Sequence, residues 1–89
     1  MDNKREHKRT PLKVQLRIDH PVHGTLLVTT RDISDSGVFV VIDEAQSLLQ
    51  IGEVVSGQVQ GLPIPAPVVQ MQVVRFEPSG VGLIFRHDA

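Results

Sequence analysis

The stretch "LKVQLRID", Leu12 to Asp19, decides the fold class. Leu12, Val14, Leu16 and Ile18 are apolar, and Lys13, Gln15, Arg17 and Asp19 between them are polar. A helix would place its apolar residues three and four apart. Strict alternation instead puts all four on one side of a pleated strand. The segment predicts a strand with one buried face and one wet face, and that face needs a sheet to complete its core.

Working outward, "HPVHG" (His20 to Gly24) supplies turn residues, and "TLLVTTRDI" (25–33) is rich in β-branched residues that suit a second strand. "SDSG" (Ser34 to Gly37) reads as a tight reversal, and "VFVVI" (Val38 to Ile42) starts a third strand. "DEAQSLLQIG" (43–52) is the one segment with the pattern of a helical turn, which Gly52 would stop. Two further strands are expected over 53–60 and 67–76, separated by "GLPIPAP". Proline cannot donate to a ladder, so that link is expected to be an exposed connection or edge. "EPSG" (77–80) closes a hairpin with "VGLIFR" (81–86).

Six short strands in a chain of 89 residues must share one core. A sheet closed on itself satisfies both the packing and the exposed edges. The expected architecture is all-β: a small six-stranded antiparallel barrel over residues 11–89, preceded by a flexible basic N-terminal arm over residues 1–10. The sequence ends at "RHDA" just after the last strand, so no C-terminal helix is expected.

Composition narrows the function. Residues 1–13 carry a balance of +3, from Lys4, Arg5, Lys8, Arg9 and Lys13 against Asp2 and Glu6, while the remainder carries −4. A domain that binds long nucleic acid usually has a broader basic surface, whereas a compact anion needs only a local patch. Phe39, Phe76 and Phe85 are the only aromatics, a thin platform for stacking single-stranded bases. No cysteine is present, which excludes disulfides and thiolate chemistry. There is neither a signal peptide pattern nor an apolar run of about 20 residues, so a soluble cytoplasmic protein is expected.

Catalysis finds no support: no nucleophile elbow, phosphate loop or dinucleotide fingerprint is present, and no carboxylate pair is spaced for acid–base work. His7, His20, His23 and His87 match no zinc spacing, and the plain reading makes them surface or turn histidines. No metal, cofactor or enzymatic activity is expected.

Two stretches carry polar chemistry. Arg5 and Arg9 lie four apart in the arm, and each guanidinium is a planar fork that can grip phosphate or a guanine edge. Read alone, the run is a solvated terminus. "RDISDSG", Arg31 to Gly37, places Asp32 and Ser34 two apart, on one face of a strand, and ends in a glycine that tolerates close approach. Asp32 could accept from the N1 and N2 donors of guanine. Read alone, this stretch is a serine-stabilised turn.

Taken together, Arg5-x-x-x-Arg9 followed by Asp32-x-Ser34-x-x-Gly37 resembles the two-part motif of the PilZ domain family, a bacterial receptor class for cyclic di-GMP. "VVRFEPSGVGLIF" (Val73 to Phe85) is similar to the closing hairpin of such domains. The resemblance implies that Arg5 and Arg9 clamp phosphates and guanines, that Asp32 holds a base, that Ser34 hydrogen-bonds the ligand, and that Gly37 lets the backbone come close. Lys4, just before the first arginine, is a further candidate contact that bears on whether one or two ligands bind. The implied function is a non-enzymatic receptor that changes conformation and signals to a protein partner, with no DNA or RNA and no membrane insertion. The alternative is a PilZ-like interaction module that does not bind cyclic di-GMP.

Overall fold

The computed structural model describes residues 9–86. Its strands are β1 (Thr10–Pro11), β2 (Gln15–His20), β3 (Gly24–Ile33), β4 (Gly37–Val41), β5 (Val54–Val59), β6 (Val69–Glu77) and β7 (Gly80–Phe85), with one helical turn, α1 (Ala45–Leu48). The sheet runs β3-β2-β5-β6-β7-β4 and closes where β4 pairs with β3, with every neighbouring pair antiparallel. The result is the expected six-stranded barrel, with β1 as one extra short strand on β3.

The alternating stretch works as its pattern requires. Leu16 and Ile18 are buried in the core, while Arg17 faces solvent. Inward residues of the other strands complete that core: Val28, Val38, Val40, Val55, Met71, Val73, Val81 and Leu83. The expected helical segment shrinks to the single turn of α1, whose first residue Ala45, with Leu49 just after the turn, joins the barrel core. The proline-bearing link is exposed, as expected, with Leu62 and Ile64 facing solvent.

One difference matters for the site. The first strand is not continuous over 12–19 but breaks between β1 and β2 at residues 12–14. There the buried Thr30 side chain enters the ladder: its hydroxyl accepts from the Val14 backbone N–H (2.9 Å) and donates to the Leu12 carbonyl. Immediately afterwards β3 carries a bulge, with Thr30 opposite Val40 but Asp32 opposite Phe39. Alternation without a bulge would send Asp32 inward after Val28 and Thr30. The extra residue, Arg31, shifts the phase, so Ile33 joins the core margin and Arg31 and Asp32 both lie on the outer wall. A second bulge in β6, between Val73 and Arg75, has the same effect: Phe76 turns inward, and Arg75 and Glu77 turn outward.

Candidate ligand-binding site

The bulge in β3 presents Asp32 beside the β3–β4 turn. Arg9, just before β1, reaches both motif side chains there. Its Nε lies 2.9 Å from Asp32 Oδ1, and its terminal nitrogen donates to Ser34 Oγ at 3.1 Å. Pairing of β1 with the end of β3, Thr10 opposite Ile33 and Pro11 opposite Asp32, fixes this approach. Asp32 Oδ1 receives no aligned hydrogen bond among the described residues, so its contact with Arg9 is one of charge alone. Ser34 also shapes its turn: its backbone N–H donates to the Gly37 carbonyl at 2.9 Å, and its Oγ accepts from the Ser36 N–H.

The other Asp32 oxygen is held by Arg31, whose Nε donates to Oδ2 at 2.9 Å. The Arg31 guanidinium lies over the Phe39 ring, 3.8 Å from its centre, and donates to Glu77 at 3.4 Å. Arg75 donates to the second oxygen of Glu77 at 3.0 Å and stands 5.8 Å from the same ring. The Asp32 hydrogen bond, ahead of burial, holds the Arg31 guanidinium above the ordinary arginine range. Its hydrogen bond from Arg75, with help from Arg31, holds the Glu77 carboxyl below the ordinary glutamate range. The wall therefore carries a continuous chain of charge, Arg9–Asp32–Arg31–Glu77–Arg75, laid around one aromatic ring. Its arginines are between about a third and a half exposed, which leaves donors for an anionic ligand to engage.

A family model described as the PilZ domain matches residues 3–89. The chain belongs to the PilZ domain family. Among solved structures it is similar to the Bacillus subtilis inhibitor of motility (MotI/DgrA), at 18% identity and a TM-score of 0.71, over 99% of this chain and 44% of that one. The chain thus spans less than half the length of that protein, and at this identity the likeness is one of fold. No curated protein matches the sequence. PilZ domains are binding or adaptor modules.

Of the PilZ motif residues, Arg9, Asp32 and Ser34 are brought together within hydrogen-bonding range, and Gly37 closes their turn. Arg5 and Lys4, like His7 and His87, lie outside the described residues. Gly37 is not in a positive-φ conformation. A Cβ there would collide with the Leu83 carbonyl oxygen, so β7, the barrel's own backbone, makes a close approach that needs a glycine.

The reading of the histidines as surface or turn residues holds only in part. His20 is at the end of β2, but it continues the inward alternation of Leu16 and Ile18 and is buried. Its ring sits 2.7 Å from Glu53 and accepts the Val22 and His23 backbone N–H groups on Nδ1. Among the described residues no group of His, Asp and Glu side chains is arranged to hold a metal. No helix among them is long and apolar enough to cross a membrane.

The cluster of Arg31, Phe39, Arg75 and Glu77 escapes the sequence reading because the two bulges that bring Asp32, Arg75 and Glu77 to the outer wall beside Arg31 leave no mark in local composition. One signal was present. Gly80 and Gly82, two apart in the last strand, leave one face bare. Phe39 pairs with Gly82, and a Cβ on Gly82 would press on Arg75 at 3.0 Å.

Proposed function

We propose that this PilZ domain is a cytoplasmic receptor for cyclic di-GMP, acting without catalysis and signalling through a change in its N-terminal arm to a protein partner. The observation that carries the reading is Arg9 touching both Asp32 and Ser34, which unites motif halves separated by more than twenty residues of sequence. Cyclic di-GMP is a dianion with two guanine edges. Arginine forks beside a carboxylate supply complementary donors and acceptor. Arg5 and Arg9 take phosphate and guanine, Asp32 accepts from guanine N1 and N2, Ser34 adds a hydrogen bond, and Lys4 bears on the number of ligands held. Binding exchanges the Arg9–Asp32 contact for contacts to the ligand, which frees the arm of residues 1–10 to fold over it.

A second reading has its own support. Both Asp32 oxygens already face arginines, so the wall also makes sense as a self-contained ion-pair network on an interaction module that does not bind cyclic di-GMP. A calorimetric titration with cyclic di-GMP separates the two. Saturable binding with a whole-number stoichiometry, and about 2.7 kcal/mol of added stability at 100 times the dissociation constant, is expected. No heat and no thermal shift at a ligand concentration of ~10⁻⁴ M would leave the interaction module as the function.

A further inference from the structure

We infer that Arg31, which belongs to neither half of the PilZ motif, is a base-stacking residue of the site and sets its preference for a purine ligand. The inference rests on the reading of this wall as a cyclic di-GMP site. Three contacts hold the guanidinium flat. Phe39 lies beneath it at 3.8 Å, Asp32 takes its Nε at 2.9 Å, and Glu77 takes a terminal nitrogen at 3.4 Å. Arg75 holds the second Glu77 oxygen and keeps that carboxylate in place. Phe39 is itself fully buried on the outer wall, seated where Gly80 and Gly82 carry no side chains. One face of the guanidinium is thus spent on the ring. The Arg31 side chain nevertheless remains 44% exposed, so part of it stays open to solvent and to a ligand.

A guanidinium clamped on an aromatic ring is a rigid, flat, cationic platform, and purine bases stack on such planes. Because Arg31 Nε is bonded to the carboxylate that would accept from guanine N1 and N2, the platform adjoins the position of a base edge. A base resting on Arg31 adds a third layer to Phe39 and the guanidinium. Lysine offers the same charge without a plane, so substitution separates stacking from electrostatics.

The test is a set of calorimetric titrations of cyclic di-GMP into the full chain as wild type, Arg31→Ala and Arg31→Lys, together with the NMR signal of the Arg31 Nε–H group. Both variants should bind about tenfold or more weakly, the size expected when one base loses its stacking partner, with apo melting temperatures close to wild type. At saturation the wild-type Arg31 Nε–H proton should move upfield, shielded by the base above it. If the wild type binds but Arg31→Lys binds equally well, or the Nε–H signal stays in place, stacking is overturned and Arg31 merely positions Asp32. If the wild type does not bind, the receptor reading itself falls, and this inference with it.

Discussion

Two polar clusters sit at different places on the same barrel and show opposite chemistry. At the end of β2, His20 is almost completely enclosed, with Glu53 at 2.7 Å from Nε2 and two backbone N–H groups donating to Nδ1. Glu53 in turn accepts the Gln50 backbone N–H at 3.0 Å. Both ring nitrogens are engaged, and the turn they hold is local. At the β3–β4 turn, Asp32 is surrounded by half-exposed arginines, and one of its oxygens lacks an aligned hydrogen bond. A buried group with all its partners in place stabilises a fold, and removing it costs the desolvation of whatever remains. A carboxylate whose cations remain wet can exchange them for a ligand at little cost, because exposed ion pairs contribute little to stability. The first cluster has the chemistry of architecture and the second that of a candidate site.

That contrast can be broken by experiment. The largest expected effect is on binding: Arg9→Ala and Asp32→Ala should each weaken cyclic di-GMP binding about 100-fold or more, the size of one or two charge-assisted hydrogen bonds. Apo unfolding free energies should stay within about 0.5–1 kcal/mol of wild type, since the pair lost is partly exposed. A large drop in apo stability on urea unfolding would move Asp32 into the same class as His20.

The converse variant is expected to act on stability alone. His20→Ala leaves the Glu53 carboxylate and two turn N–H groups without their partner, and should cost about 1–3 kcal/mol in urea unfolding. Ligand affinity measured on the folded fraction should not change. An affinity loss comparable to that of Arg9→Ala would join the two regions into one functional unit.

The smallest effect concerns pH. Glu77 has its carboxyl lowered by its bond from Arg75 and by Arg31, so its folded value lies below its unfolded one. Its contribution to stability is therefore fully present above the ordinary glutamate value of about 4.3 and disappears as pH falls through the lower folded value. Acid melts of wild type and Glu77→Gln should differ slightly near neutrality and converge below that window. Curves that instead diverge as pH falls would reverse the sign and remove Glu77 from the role of anchor for Arg31 and Arg75.

Much of this molecule was legible in its residues. The alternation of Leu12 to Asp19 required a half-buried strand, and six such segments on a short chain left a closed barrel as the economical solution. The two motif halves were recognisable because arginine spacing and an Asp-x-Ser-x-x-Gly turn are local features. The break at residues 12–14 was not legible, since it depends on the hydroxyl of Thr30, a residue of the partner strand. The approach of β7 to Gly37 was not legible for a similar reason. What crowds its α-carbon is the carbonyl of Leu83, far away in sequence.

By itself, then, the sequence determined the period of the strands, the closure they demand and the residue types available for a guanine-bearing anion, because these follow from side-chain pattern and chemistry. Tertiary structure alone decided which side of the wall each charge would face. A single extra residue in β3 and another in β6 reverse the alternation, and they turn Asp32, Arg75 and Glu77 outward to join Arg31 around Phe39. The phase of a strand is set by the register of its neighbours, and that register exists only once the barrel has closed.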